Sequence, residues 1–392
     1  MMRMRLPASA WRRRGFALPE LLVATALSVL IAGAVLTVIH PSSDAFLRMP
    51  AVGDLHQRVR AAAEVVNARL LGACGAGPSG ERNPLGVEVP CLFPYAIGAR
   101  RAAAPGDWSP ATLSLLTALP ATVPASLRSA LAPGETRAEL DATRCPAASP
   151  SCGIREGDAL VLVGPGGRSE LAQAAMVAGD SVTLSRRGPA SARTFPAGSL
   201  AIAADPVVFY VRDATAADPP QLRRHNGAAS DLPLLDHVVS FSVRLFGESS
   251  APSVSSDGSS TTYGPLPPPV GIDDLEDAWG PGENCVFTRV DGVAVPRLQD
   301  LAGNLLGLVE LTPPVLTDGP FCPDAASPSR FDADLLRVRR ARVSLRLEAA
   351  PAPLRGRGAF FMRPGTSGSG LRLVPDRVVS FDVVPRGAGG GR

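Results

Sequence analysis

The chain contains no lysine, and all 39 of its basic residues are arginine. That absence excludes two chemistries, the lysine of a phosphate-binding P-loop and the lysine that forms a Schiff base. Histidine is scarce as well: the four present, His40, His56, His225 and His237, are scattered along 392 residues. No Cys-x-x-Cys pair accompanies them, so the usual ligand spacing of a zinc site is missing. Neither H-E-x-x-H nor G-x-S-x-G occurs, and no Ser, His, Asp ordering suggests a catalytic triad. The run Gly75 to Gly80 satisfies G-x-G-x-x-G in form only. It follows a helical pattern where a strand is needed and carries Pro78 where the next helix would begin. The chain reads as a non-enzyme without a cofactor.

What is present is concentrated at the N-terminus. Arg12 to Glu20 read R-R-R-G-F-A-L-P-E and open on an uncharged apolar stretch, Leu21 to Ile39. Nineteen residues at about 1.5 Å each cover about 28 Å, close to the thickness of a bilayer core. Glu20 stands one turn inside this block if the helix starts at Phe16. A lone carboxylate there costs on the order of 3 kcal/mol unless it stays near the interface or finds a partner. Five arginines, Arg3, Arg5, Arg12, Arg13 and Arg14, and no acid precede Gly15. The positive-inside rule then holds the N-terminus in the cytoplasm and sends the body outward. A cut after Gly15 exposes the amine of Phe16, with Glu20 four residues on along the same helical face. An ordinary secretory signal is the competing reading, cut at Ala32-Gly33-Ala34 to leave Val35 first, although the apolar run continues past that site. A plain membrane anchor explains neither Glu20 nor the Gly15-Phe16 junction.

The pattern of glycine, phenylalanine, three residues, glutamate and an apolar run resembles the class III signal sequences of type IV prepilins and type II secretion pseudopilins. Gly15, Phe16 and Glu20 match it position by position. The resemblance implies that a prepilin peptidase cuts after Gly15 and methylates Phe16. It also implies that Glu20 pairs with the Phe16 amine of a neighbouring subunit in a helical fibre, where a low dielectric strengthens the attraction. Pro19 departs from the commonest residue, but the first helical turn tolerates proline. Near the C-terminus, V-R-R-A-R-V-S-L-R-L-E-A-A at Val338 to Ala350 and the closing strand are similar to minor pilins of the PilW class, relatives of the J-type pseudopilins. The fold this implies is α+β and pilin-like: a long N-terminal helix, membrane-spanning and then amphipathic, packed on antiparallel sheet, with a second β-rich lobe. The function implied is a minor pilin of a type IV pilus, held at low copy or near the tip. A J-type pseudopilin of a type II secretion system is the second reading, and a membrane-anchored extracytoplasmic binding module is a third of another class. The implied partners are the peptidase, other pilins or pseudopilins through the N-terminal helix, and the inner membrane before assembly.

The expected organisation is a leader over 1–15, a membrane or fibre-core helix over 16–39, an amphipathic extension over 40–72 and an extracytoplasmic β-rich region over 73–392. Pro41 is predicted to break or kink the helix, and Pro50 punctuates it again. From Asp54, a residue spaced like a capping box with Gln57, Leu55, Val59, Ala62, Val66 and Leu70 form a helical apolar stripe. Ala111 to Leu131 is ambiguous, with a short helix expected around Leu113 to Leu119. Strands are expected at Asp158 to Val163, Ser181 to Ser185, Pro206 to Val211, His237 to Phe246, Val338 to Glu348 and Arg377 to Val384. The first three suggest a small antiparallel lobe over about 150–215. Residues 236–243 and 376–383 share six of eight positions, as equivalent strands in related sheet elements would. A flexible insertion is expected over 248–269 from its Ser, Gly and Pro content.

Six cysteines in an exported chain read as a disulfide framework with fifteen possible pairings. Short-loop closure favours Cys74 with Cys91, Cys145 with Cys152, and Cys285 with Cys322. The formal charge is +3, and the five leader arginines account for more than all of it, so no nucleic-acid partner is inferred. Asp273, Asp274, Glu276 and Asp277 form a weak calcium candidate of hard oxygen ligands, whose spacing matches no EF-hand and fits a solvated acidic turn. Trp108, Tyr263 and Trp279 are candidate contact aromatics with core packing as the alternative.

Overall fold

The structure is a computed structural model that describes residues 17–74, 89–97, 111–164, 169–186, 194–216, 218–227, 230–249, 287–290, 293–296, 307–312, 321–322, 331–368 and 373–386. A continuous helix, α1 (Leu18–Gly72, 55 residues), opens the described residues. The break expected at Pro41 is absent. Pro41 and Pro50 withhold only the two N–H groups that would reach the carbonyls of Thr37 and Phe46, and the flanking turns carry the helix across. Asp54 is therefore not a cap. It lies inside α1 and pairs with Arg58 one turn on, at 3.2 Å. The helix stops at Ala73, whose extended backbone (ψ 146°) leaves the helical region, and Cys74 follows with a left-handed φ of 57°.

Among the described residues eighteen strands follow: β1 (Leu92–Phe93), β2 (Thr112–Ala118), β3 (Ala125–Ser126), β4 (Arg137–Glu139), β5 (Ala159–Val163), β6 (Ser169–Ala178), β7 (Ser181–Ser185), β8 (Leu200–Arg212), β9 (Gln221–His225), β10 (Asp231–Asp236), β11 (Val238–Gly247), β12 (Phe287–Val290), β13 (Val293–Pro296), β14 (Val309–Leu311), β15 (Phe321–Cys322), β16 (Phe331–Asp332), β17 (Val338–Leu347) and β18 (Arg377–Val383). The larger sheet runs β1-β2-β8-β5-β6-β7-β4, with β3 and β9 also on β8 and β10 on β9; the smaller runs β14-β11-β17-β18. Every pairing is antiparallel. The described residues are thus α+β, a long helix laid on antiparallel sheets.

The helix expected around Leu113 to Leu119 is strand β2, hydrogen-bonded along its whole length to β8 from Thr112 opposite Tyr210 to Ala118 opposite Ala204. Residues 150–215 contribute β5 to β8 to the larger sheet, alongside β2 and β9. The two near-identical stretches prove to be the two neighbours of one strand. Ser242 of β11 and Ser380 of β18 both face Ser344 of β17, which leaves the repeats offset by two residues along it.

Leu55, Val59, Ala62, Val66 and Leu70 are all buried, with Val66 and Leu70 fully so. They share one core with Leu113 and Leu115 of β2, Phe209 of β8, Phe241 and Val243 of β11, and Val343 and Leu345 of β17. Each such side chain contributes about 1.5–3 kcal/mol through burial. The larger sheet is covered on its other face by a second core containing Leu160 and Leu162, whose neighbours Val161 and Val163 belong to the first. That two-sided burial is why β5 reads as unbroken apolar sequence, A-L-V-L-V. The smaller sheet turns a polar face outward, where Arg342 pairs with Asp382 at 2.8 Å and the Ser344 and Ser380 hydroxyls meet at 2.6 Å.

Candidate functional site: the exposed half of the N-terminal helix

The start of α1, Leu18–Thr37, touches none of this core. Leu18–Thr37 has a mean hydropathy of 2.1 over 20 residues, and none of it is buried. Leu21, Val23, Leu27, Val29, Leu30 and Ile31 are each 55% exposed or more, and they point in all directions around the axis. A helix that is apolar all round needs lipid or protein on every side. Its polar groups suit such surroundings. The hydroxyls of Thr25, Ser28 and Thr37 donate to the carbonyls of Leu22, Ala24 and Ala34 at 3.0, 2.8 and 2.7 Å, so each is satisfied within the helix.

Glu20 is the only charge on this segment. It sits in the first turn, next to Pro19, and its Oε2 accepts the Ala17 backbone N–H at 3.2 Å. This uses one lone pair of a carboxylate that can accept about four hydrogen bonds. The remaining capacity faces outward on the same surface as Val23, Ala24 and Leu27. A cation delivered from outside the chain can therefore reach Glu20. No protein-family model and no curated protein matches the chain. Gly15 and Phe16 lie outside the described residues, so of Gly15, Phe16 and Glu20 only Glu20 has a described position.

Two of the three expected disulfides are formed. Cys74 and Cys91 join across a Cα separation of 5.3 Å, Cys145 and Cys152 across 4.6 Å. The first ties the end of α1 to the start of the larger sheet, where the Cys74 N–H also donates to the Leu116 carbonyl at 3.2 Å. Cys285 lies outside the described residues, and with it the pairing to Cys322. The acidic cluster Asp273, Asp274, Glu276 and Asp277, the run Gly75 to Gly80, and Trp108, Tyr263 and Trp279 lie outside them too. Among the described residues, no group of three or more His, Cys, Asp or Glu side chains is placed to hold a metal ion.

One charged constellation escaped the sequence reading. Glu348, at the end of β17, has a fully buried side chain. Its carboxylate accepts from Arg355 at 2.7 Å and from Arg363 Nε at 3.0 Å, and His237 Nδ1 lies 3.2 Å away. Burial pushes the carboxyl's pKa up, but the hydrogen bonds from His237, Arg363 and Arg355, with the charge of Arg355, outweigh it and hold the group at about 2. His237 adopts a left-handed φ of 62°, and its carbonyl accepts the Glu348 N–H at 3.0 Å. The cluster clamps the connection between β17 and β18 to the start of β11. Only the positions of these residues in the fold bring them together, since His237 and Glu348 are 111 residues apart.

Proposed function

We propose that this chain is a pilin-type subunit, a minor pilin of a type IV pilus. A prepilin peptidase cuts it after Gly15 and methylates Phe16, and α1 then enters the fibre core. On this reading the fold is pilin-like, with a second β-rich lobe. The observation that carries it is the Leu18–Thr37 helix: unburied, apolar on every face, with a single carboxylate in its first turn. The two disulfides suit an extracytoplasmic body.

The chemistry follows from the site. In the membrane, a carboxylate one turn inside the span costs on the order of 3 kcal/mol when unpaired. The Phe16 ammonium of a subunit already in the fibre removes that cost, because two opposite charges in a low dielectric attract strongly. The incoming subunit is thereby drawn from lipid into protein and held in register by one ion pair, while the apolar faces pack side by side. A body of this size fits a low-copy or tip position better than a tightly packed repeat.

Mass spectrometry of the mature N-terminus is the first test. N-methylated Phe16 is the expected result, and a mature chain beginning at Val35 establishes secretory cleavage in its place. Glu20→Val then separates processing from assembly: the cut at Gly15 persists and incorporation into fibres falls at least about tenfold, as the loss of a buried ion pair requires. Normal incorporation of Glu20→Val refutes the pairing and leaves a membrane-anchored binding module.

A further inference from the structure

We propose that Asn226 is a site of self-catalysed deamidation, in which the amide nitrogen of Gly227 attacks the Asn226 carboxamide and His225 acts as the general base. The inference stands apart from the pilin reading and rests on the end of strand β9. Of the five asparagines in the chain, only Asn226 precedes a glycine. Such a pair often forms the two-residue turn of a hairpin. Here it does not, because His225 lies opposite Asp231 across β9 and β10, which leaves positions 226–230 between the strands. Rotation about two bonds of Asn226, Cα–Cβ and Cα–C, is all that separates the Gly227 nitrogen from the side-chain carbonyl carbon. Glycine has no Cβ to hinder that approach. Gly227 is also fixed in place, with a φ of 76° and with Pro206 Cγ only 2.9 Å from where a Cβ would stand.

The contacts of the pair supply what the reaction needs. The Gly227 N–H donates to Nδ1 of His225 at 2.9 Å, so the proton that must leave the nucleophile already points at a base. Accepting at Nδ1 places the neutral ring's own proton on Nε2. The imidazole is buried, which shields it from bulk water. On the electrophile, Oδ1 of Asn226 accepts the Ser230 N–H at 3.0 Å, a donor placed where negative charge develops as the carbonyl is attacked. The Asn226 N–H donates in turn to the Ser230 carbonyl at 3.0 Å, which ties the two residues together. The carboxylate opposite His225, that of Asp231, is engaged elsewhere: the Tyr210 hydroxyl donates to it at 2.7 Å and Arg223 Nε at 3.1 Å. The proton of Gly227 therefore goes to His225.

Water is the only outside reagent required. The Gly227 nitrogen bonds to Cγ of Asn226 as its proton passes to Nδ1 of His225 and the carbonyl electron pair moves onto Oδ1. The carbonyl then re-forms, the Cγ–Nδ2 bond breaks, and Nδ2 departs as ammonia with the proton returned from His225. A succinimide ring remains. Water opens it at either carbonyl to give aspartate or isoaspartate at position 226. Both products carry a new carboxylate next to Gly227, which packs on Pro206. The residue before that proline, Asp205, is where Arg69 of α1 and Arg224 of β9 meet, at 2.7 and 3.7 Å. The modification thus falls beside a contact between the larger sheet and α1.

The test incubates the full chain in detergent micelles at neutral pH, folded in one sample and unfolded by urea in another. Trypsin releases residues 225–244, in which Asn226 is the only side-chain amide, so a gain of about 1 Da there reports this site alone. The expected rate in the folded chain is at least about tenfold above that in the unfolded chain. In folded His225→Gln it falls by about a hundredfold, with no change when that variant is unfolded. His225→Phe keeps the bulk of the ring and serves as a second variant, with hydrogen exchange in β9 checking that each is folded. A folded parent that deamidates no faster than the unfolded one shows that these contacts protect the pair, and it overturns the proposal without need of a variant. A fast folded rate that neither variant lowers assigns the reaction to the backbone alone and overturns the role of His225.

Discussion

Replacing Glu348 with glutamine keeps the shape of the side chain and removes its charge, which makes it a direct probe of the clamp at the β17–β18 connection. The folded carboxyl is held at about 2 against an ordinary 4.5. A depressed folded pKa contributes stability that is fully present above the unfolded value and is lost as pH falls through the folded one. The ionised group therefore contributes on the order of 3 kcal/mol at pH 7 and about 1.4 kcal/mol at pH 3. Glutamine has no such dependence. It also leaves Arg355 and Arg363 facing a neutral amide, so the full cost at pH 7 is about 3–5 kcal/mol. Urea unfolding of both full-length proteins in detergent micelles, followed by intrinsic fluorescence, gives the difference at each pH. We expect the gap between parent and Glu348→Gln to shrink by about 2 kcal/mol from pH 7 to pH 3. A gap that stays constant refutes the assignment of the stabilisation to an ionised Glu348, because every other titrating group cancels in the comparison.

The two halves of α1 respond differently to truncation: Leu70→Ala removes a fully buried side chain and lowers body stability by about 2–5 kcal/mol in the same assay, while Leu30→Ala, on the exposed half, leaves the body transition in place. Cys91→Ser opens a loop closed over a separation of 17 residues and costs about 3 kcal/mol, read as a drop in unfolding midpoint that Cys74→Ser reproduces. Gly365→Ala drives a Cβ into the carbonyl oxygens of Arg355 and Ala352; it should speed hydrogen exchange at the Arg355 and Thr366 amides, both bonded to the Ala352 carbonyl, with the amides of β17 unaffected.

The features readable in the sequence were those carried by local periodicity. The stripe from Leu55 to Leu70 was visible because a helix repeats its face within a few residues. The Val- and Leu-rich strands β5, β7, β11, β17 and β18 were visible for the equivalent reason. The continuity of α1 was not, since whether a proline ends a helix depends on what supports the turns around it. Strand β6 was missed because S-E-L-A-Q-A-A-M-V-A has the composition of a helix and becomes a strand by pairing with β5 and β7. At the candidate site, Glu20 stood out because a carboxylate in an apolar block is costly wherever the block goes. Glu348 gave no such signal. Alone it is one acid at the end of a strand, and its partners come from other parts of the chain.

The attachment of α1 to the body decides how a pull on the helix is carried. The helix enters beside Asp236, leaves beside Arg386 and packs along β17 and β18, the outermost strand of its sheet. A pull on the apolar half is directed along that seam. It loads the stripe from Leu55 to Leu70 in shear, all positions together, instead of peeling them away one by one. The far end of the seam is covalent, through Cys74 and Cys91, and is braced by Arg69 on Asp205 at 2.7 Å. Tension applied to the apolar half would thus reach the body through a joint whose last element is a chemical bond.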